Sequence, residues 1–96
     1  MSRKLKPLEA SVELAAVQWA KDNGVLTRKL QWIGRRGAPD RLFAPGRAVF
    51  IEFKRAGEEP NPLQRKEIAR MRDCGLEVHV VWTMDEFLKI MRRPNG

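Results

Sequence analysis

The sequence predicts one α/β domain with a mixed central sheet flanked by helices, and three observations support this fold class. The chain has 96 residues, which allows one modest core and excludes a two-domain enzyme. Segments with apolar residues at helical spacing alternate with segments typical of strands, in the order α-β-β-β-α-β-α. The run AVFIEF at 48–53 is nearly continuously apolar, which is typical of a central strand buried on both faces.

The first half of the chain predicts one helix and three strands. Apolar residues at helical spacing predict a helix over about 8–23, which Gly24 can end in the left-handed conformation. Strand-forming residues follow over 25–33, and the polar loop GRRGAPD leads into a second strand at 41–44. The turn Pro45-Gly46 then joins this second strand to the apolar third strand as a hairpin.

The second half predicts a helix, a strand and a last helix. Asn61 as N-cap and Pro62 at the first helical position begin the second helix, and a fourth strand spans 76–82. Thr83 and Glu86 form the capping box of the last helix. The apolar stripe of this helix, which covers the sheet or a dimer interface, consists of Met84, Phe87, Leu88 and Met91.

Charge and cysteine content restrict the partners and the compartment. Nineteen Lys and Arg against twelve Asp and Glu give a net charge of +7, which favours a polyanionic partner and above all nucleic acid. Cys74 is the single cysteine, so an intrachain disulfide is excluded and a reducing cytosol is expected. No apolar run approaches the roughly 20 residues that span a bilayer, so we expect neither a membrane span nor a secretion signal. We treat 1–96 as one domain and expect disorder at 1–7 and 93–96.

Two charged residues lie in or beside the most apolar strand. Glu52 and Lys54 are two residues apart, so their side chains share one face of the strand. Burying an ionised carboxylate without a partner costs several kcal/mol, so we expect a metal ion or a close ion pair beside Glu52. A cross-strand salt bridge at the end of the strand is the simpler explanation of the pair alone.

Asp40 adds a second carboxylate to this pair. It opens the second strand after Gly37-Ala38-Pro39, and the hairpin brings it beside the strand that holds Glu52. Two carboxylates from neighbouring strands, completed by water and substrate phosphate, are typical ligands of Mg²⁺ in phosphoryl chemistry. Lys54 on the same face could hold the scissile phosphate or the attacking water. The alternative for Asp40 is an ordinary turn aspartate.

These residues carry a resemblance to a known family. Asp40 after Pro39, followed by Glu52-Phe53-Lys54 on a hairpin, resembles the PD-(D/E)XK nuclease superfamily, whose core is restriction-endonuclease-like. The segments GRRGAPDRLF, FIEFK and NPLQRKEIARMRDCG together resemble, more narrowly, the VRR-NUC family of virus-type replication-repair nucleases. The similarity runs from the first helix to the fourth strand.

The resemblance implies further site residues. Asp40 and Glu52 would bind Mg²⁺ or Mn²⁺ directly, and the Phe53 carbonyl would supply a backbone ligand. The family places a glutamate on the first helix near the metal, directly or through water; Glu13 matches best, because Glu9 lies in the first turn, where an acid already satisfies the helix dipole. The family also has a glutamine after the third strand, which Gln64 matches. Asn61 and Gln64 have capping-box spacing as well, and the two roles are compatible.

Basic residues surround the proposed acidic site. Most lie in the stretch leading to Asp40 and along the second helix, and we expect phosphate contacts, which position DNA without reading its sequence. The predicted DNA-binding residues are Arg35, Arg36, Arg41, Arg65 and Lys66. Trp32, next to this stretch, either packs in the core or wedges against DNA. His79 has no partner at ligand spacing and is expected to be an ordinary strand residue.

The sequence therefore predicts a small Mg²⁺- or Mn²⁺-dependent DNA endonuclease with Glu13, Asp40, Glu52, Lys54 and Gln64 as its catalytic set. The resemblance implies a branched substrate such as a four-way junction, a homodimer, and the cytosol of a bacterium or phage-infected host. A non-catalytic DNA-binding module of the same fold is the main alternative, and it would not need this catalytic set. A basic protein-binding adaptor is a third, and its only candidate surface is the stripe on the last helix.

Overall fold

The computed structural model describes residues 9–95, and its elements follow the predicted order. The helices are α1 (Glu9–Asp22), α2 (Pro62–Asp73) and α3 (Met84–Met91), and the strands are β1 (Leu26–Lys29), β2 (Arg41–Ala44), β3 (Val49–Phe53) and β4 (Glu77–Val81). The largest difference from the prediction is β1, which was expected to reach residue 33. Its pairing continues past Lys29 through the hydrogen bond from Leu30 N to Asp40 O (3.0 Å). The chain then leaves the sheet in the segment that contains GRRGAPD at 34–40, which we call the arginine-rich loop.

The four strands form one mixed sheet in the order β1-β2-β3-β4. The pairs β1/β2 and β2/β3 are antiparallel, and β3/β4 is parallel because α2 crosses over between them. Strand β3 is thus an interior strand, and four of its five residues, Val49 and Ile51 to Phe53, are buried. This confirms the predicted central strand.

The two faces of the sheet carry different cores. On one face, Phe43, Ile51 and Phe53 pack with α1 and α3. Because side chains alternate along a strand, the residues between them point to the other face, where Phe50, Val78 and Val80 pack against α2. The domain therefore has three layers, with α1 and α3 on one side of the sheet and α2 on the other.

The apolar stripe of α3 belongs to the first of these cores. Phe87 is fully buried, with its ring 4.8 Å from that of Phe43, and Met91 is 5% exposed. Met84 and Leu88 also pack against this core. Of the two expectations for the stripe, covering the sheet is confirmed, because Phe87 and Met91 are buried and Met84 and Leu88 are partly buried within one chain. A dimer interface at this stripe stays a prediction.

Both predicted capping boxes are present. The Asn61 side chain accepts the Gln64 N–H, and the Gln64 side chain accepts the Asn61 N–H, both at 2.9 Å. Thr83 and Glu86 exchange the corresponding bonds at the start of α3. Each box satisfies N–H groups that a helix start leaves without intrahelical partners, so the start of each helix is fixed by sequence-local contacts.

The end of the chain is held against β4 by Arg47. This guanidinium donates to Glu77 (Nε to Oε1, 2.8 Å) and to the Ile90 carbonyl (2.8 Å), and Glu77 also pairs with Arg93. Asn95 accepts a hydrogen bond from Arg47 at 3.1 Å. Residues 93–95, within a stretch expected to be disordered, thus have defined contacts, whereas the expected disorder of 1–7 lies outside the described residues.

Arg47 also controls the ionisation of Glu77. Its hydrogen bond lowers the pKa of Glu77 to about 2, against the opposing effect of partial burial and with a further contribution from His79. His79 Nε2 lies 2.8 Å from Glu77 Oε2. His79 is therefore a strand residue paired with a neighbouring acid, which agrees with its predicted structural role.

No helix within residues 9–95 is long and apolar enough to cross a membrane. The longest, α1, has 14 residues, whereas a transmembrane helix needs about 20.

Replacing Glu77 with Gln should lower the free energy of unfolding at neutral pH by about 2 kcal/mol, because the folded state then loses a carboxylate with a depressed pKa. Since the pKa is lowered on folding, this contribution is present above the ordinary value of 4.5 and disappears as the pH falls toward 2. Urea unfolding at several pH values should show the difference between wild type and variant shrinking with acidity. Glu59→Gln, at an exposed position, is the control, and a pH-independent difference would contradict the assignment.

Candidate active site

The β2-β3 hairpin brings Asp40 and Glu52 together. Arg41 pairs with Ile51 in the antiparallel register, so the next step places Asp40 opposite Glu52. Directly opposed residues project from the same face of the sheet. Asp40 Oδ2 also accepts the Phe53 N–H at 2.8 Å. The two predicted carboxylates therefore lie side by side at one end of the sheet, on the face covered by α2.

Glu52 is the buried centre of this group. It is 3% exposed, and its Oε2 accepts a hydrogen bond from Gln64 Nε2 at 2.8 Å. The Lys54 Nζ lies 3.6 Å from the same oxygen, and the Lys54 side chain is only 16% exposed. An ionised carboxylate at this depth is stable only with such donors or a cation. Gln64 and Lys54 are therefore suitable neighbours for the charged form of Glu52.

Gln64 serves the helix cap and the site at once. Its Oε1 accepts the Asn61 N–H in the capping box, while its Nε2 donates to Glu52. The two contacts require opposite ends of one amide, so together they fix which end faces the carboxylate. The capping role of Gln64 is thus confirmed, and its catalytic role stays a prediction with which the contact to Glu52 is compatible.

The donors at this end of the sheet suit a hard divalent cation. Asp40 and Glu52 offer carboxylate oxygens from adjacent strands, and the backbone at Phe53 lies between them. Within residues 9–95, no group of three or more His, Cys, Asp or Glu side chains converges on one point. Two carboxylates with the remaining positions left to backbone, water and phosphate are a typical arrangement for Mg²⁺ and unlike a structural zinc site.

Glu13 lies elsewhere. Its Oε2 accepts hydrogen bonds from Lys29 Nζ and Arg41 Nε, both at 2.8 Å. Lys29 and Arg41 are paired across β1 and β2, and Arg41 adjoins Asp40, so they project from the opposite face of the sheet. The structure therefore places Glu13 near the same end of the sheet but on the α1 side, while the side chain of the alternative, Glu9, lies outside the described residues. The metal-binding role of Glu13 stays a prediction.

These two cations stabilise the ionised form of Glu13. Burial opposes the charged form, but the hydrogen bonds and charges of Lys29 and Arg41 outweigh it and lower the pKa of Glu13 below its ordinary value. Arg41, with a side chain 20% exposed, is thus held by an internal carboxylate, although the sequence predicts that it binds DNA.

The other predicted DNA-binding residues divide between two sides of α2. Arg35, Arg36 and Lys66 line a cleft of about 640 Å³ between the arginine-rich loop and α2, together with Arg70. Arg65 points to the opposite side of the helix and lines a second, smaller cleft. The structure thus brings three of the five predicted residues together and separates Arg41 and Arg65 from them.

Glu67 is a buried contact residue of the loop that the sequence analysis did not identify. It is 8% exposed and accepts hydrogen bonds from Trp32 Nε1 (2.6 Å) and Arg35 (3.1 Å). Trp32 therefore packs against the second core, which is one of its two expected roles, and the wedge against DNA stays a prediction. Within the run QRKEIAR, Glu67 is expected to be a solvent-exposed residue. It is, however, next to Ile68 and four residues before Met71, which places it beside the buried face of α2.

The loop that carries Arg35 is held close to α2. At Gly37, φ is +94°, and a Cβ atom there would lie 2.8 Å from the Leu63 carbonyl oxygen. Both the backbone conformation and the close approach require glycine at this position. Together with the Glu67 contacts, this packing holds the loop in one position next to the carboxylate pair.

Comparisons with known proteins agree with this arrangement. No protein-family model matches the sequence. The chain is 39% identical over 79 residues to a protein of Acyrthosiphon pisum secondary endosymbiont phage 1 named "Putative nuclease p44", covering 80% of this chain and 85% of that protein. A solved structure described as a VRR_NUC domain superposes with a TM-score of 0.79 at 33% identity, covering 91% of this chain and 97% of that one. On this identity and shared fold, the chain belongs to the VRR_NUC family, as its motifs predict.

Proposed function

We propose that this VRR_NUC protein is a nuclease that uses Mg²⁺ or Mn²⁺ to hydrolyse phosphodiester bonds within branched DNA. The observation that carries the proposal is the grouping of Asp40, Glu52 and Lys54 on one face at one end of the sheet, with Glu52 buried and oriented by Gln64. A divalent cation, when bound, supplies an activated water and neutralises charge on the phosphate.

The other parts of the proposed mechanism are carried out by residues of the chain, each with its own role. Asp40 and Glu52 hold the cation, and the Phe53 N–H and Gln64 Nε2 orient their carboxylates. Lys54, at the edge of the buried site, lies where its ammonium group can offset charge that develops on the phosphate in the transition state. Glu13 acts through water at this end of the sheet, because its direct partners are Lys29 and Arg41.

DNA is held by the cations around the loop and α2. Arg36, Lys66 and Arg70 are exposed in the larger cleft, so phosphate contacts there replace only water and counterions. Arg35 is bound to Glu67 on one side, with its side chain still 61% exposed. These contacts position the backbone and carry no base information.

The competing proposal is a DNA-binding module without catalysis. Such a module gains nothing from burying Glu52 at a cost in desolvation and then supplying Gln64 and Lys54 to offset it. The name of the phage relative also favours a nuclease.

The preference for branched DNA and the homodimer rest on the family resemblance. A symmetric cut through two strands of a junction needs two sites at a fixed spacing, which a two-fold dimer provides. Because the apolar stripe of α3 already packs against the sheet, we propose a dimer contact elsewhere, at the exposed apolar residues Leu14 on α1 and Leu26 on β1. We place the protein in a reducing cytosol, because its single cysteine, Cys74, is a free, exposed thiol.

Incubation with labelled single-stranded, duplex, flap and four-way DNA tests the proposal. We expect cleavage with Mg²⁺ or Mn²⁺, none in EDTA, and paired cuts on four-way DNA by a species of dimeric mass in light scattering. Cleavage of every structure at equal rates would remove the preference for branched DNA. A strictly monomeric mass, free and on DNA, would leave an enzyme that nicks one strand.

Asp40→Asn and Glu52→Gln should each abolish cleavage, because each removes an anionic oxygen ligand while keeping side-chain size. DNA binding, followed by fluorescence anisotropy, should stay the same or tighten, since negative charge near the phosphate is removed. Asp85→Asn, at an exposed position in the first turn of α3, is the matched control and should cleave normally. Full activity of either site variant would remove its residue from the metal site.

Lys54→Ala should lower kcat by about 100-fold without a matching loss of affinity, because its interaction with the phosphate strengthens only in the transition state. Single-turnover cleavage together with the dissociation constant for uncleaved DNA separates the two effects. Circular dichroism confirms that the variant is folded. Parallel losses in binding and turnover would instead make Lys54 a simple phosphate contact.

A further inference from the structure

A second cleft lies beside the candidate active site, on the side of α2 that faces β4. It has a volume of about 270 Å³. Pro60, Ile68 and Val80 form an apolar floor, and Trp82 and Arg72 stand at its walls. The functions described above make no use of these residues.

The cleft begins next to the buried carboxylate. In the parallel register, Val80 pairs with Glu52, and neighbouring strands are about 4.8 Å apart. Arg65, also in the cleft, directly follows Gln64, which binds Glu52. From Arg65 to Arg72 the helix rises by about 10 Å. The cleft therefore extends from the catalytic end by roughly the length of one nucleotide.

Two planar groups line the cleft, and each is fixed by a hydrogen bond to a backbone carbonyl. Trp82 Nε1 donates to Glu58 O at 2.6 Å, which sets the orientation of the indole ring. Arg72 donates to Val78 O through Nε (3.0 Å) and through a terminal nitrogen (2.7 Å), which sets the plane of its guanidinium group. Planar groups held in this way lose little entropy when another planar group stacks on them.

We infer that this cleft binds the base of one unpaired nucleotide adjacent to the scissile phosphate. Nucleobases stack on aromatic rings and on guanidinium planes, and the apolar floor suits a base and not a phosphate. Arg65, at the catalytic end, is placed for the phosphate, whereas the Glu59 carboxylate at the rim repels phosphate from that part of the cleft.

The inference rests on the proposed nuclease function and narrows its substrate. A base inside a duplex cannot enter a cleft of this kind without leaving the stack, which costs a few kcal/mol. A nucleotide already unpaired at a branch, flap or single-stranded end avoids this cost. The cleft therefore favours cleavage next to unpaired nucleotides, by base stacking and without base-specific hydrogen bonds.

Fluorescence of 2-aminopurine tests where the base sits. Single-stranded oligonucleotides with this base at successive positions are bound to the full-length protein in EDTA, so that no cleavage intervenes. We expect emission to fall on binding when the label is next to the position cut in Mg²⁺, and Trp82→Ala to abolish that decrease. Equal emission changes at all positions would overturn the inference.

Affinity measured in a double-substitution cycle separates stacking from a structural role of Trp82. Trp82→Ala should weaken binding of the oligonucleotide by about tenfold, and removing the base at the sensitive position should do the same. The two changes together should cost no more than either alone, and Trp82→Phe should restore most of the affinity for the intact strand. A loss that is equal for intact and abasic DNA would show that Trp82 only supports the fold, and would overturn the inference.

The two proposals fail separately. A wild-type protein that cleaves DNA but shows no coupling in the cycle would retain the nuclease function and lose the base site. A protein that shows coupling but cleaves nothing would retain the base site and lose the nuclease function.

Discussion

The buried carboxylate of Glu52 is the constraint on which the rest of the site depends. It lies in the interior strand with 3% of its surface exposed, where an ionised group requires donors or a cation close by. The fold meets this requirement from two directions, with Lys54 on the same strand and Gln64 on α2. Because Gln64 also closes the capping box, the residue at which α2 begins and the surroundings of Glu52 are fixed by one amide. A helix starting one residue earlier or later would not present this amide to Glu52.

The aromatic core on the opposite face fixes the geometry of the carboxylate pair. Phe43 and Phe53 alternate with the site residues along β2 and β3, so a slip of one residue would put the carboxylates into the core and the rings into the site. The register of the hairpin is thus maintained by apolar burial on the face opposite the carboxylate pair. For this reason, the relative position of Asp40 and Glu52 is rigid although neither residue contributes to hydrophobic stability.

Sequence-local signals predicted most of the fold and the centre of the site. Three signals each lie within a few residues of sequence: the two capping boxes, the Pro45-Gly46 turn and the apolar run at 48–53. Together they predict the order of the elements and the pairing of Asp40 with Glu52. The partners of Glu13 and Glu67 could not be predicted, because Arg41 and Trp32 are 28 and 35 residues away. The sequence shows which residues are charged, but only the packing of α1 and α2 decides which charges meet. In the same way, the surface that the apolar stripe of α3 packs against is decided by long-range contacts and could not be predicted from the sequence.

The internal ion pairs also show that only some of the basic residues behind the net charge of +7 are accessible to DNA. Three glutamates, Glu13, Glu67 and Glu77, each bind an arginine that the sequence alone would assign to a basic surface. These pairs hold α1 against the sheet, the loop against α2, and the segment with Arg47 against β4. Among the described cations without a carboxylate partner, Arg36, Arg65, Lys66 and Arg70 lie on the loop and α2, beside the face that carries Asp40 and Glu52, whereas Lys21, Arg28, Lys89 and Arg92 lie on other parts of the surface. Under the proposed function, phosphate contacts with the cations of the loop and α2 hold the DNA backbone next to the carboxylate pair. Folding therefore decides which arginines are tied to internal carboxylates and which remain available to phosphate, and this division cannot be read from the composition alone.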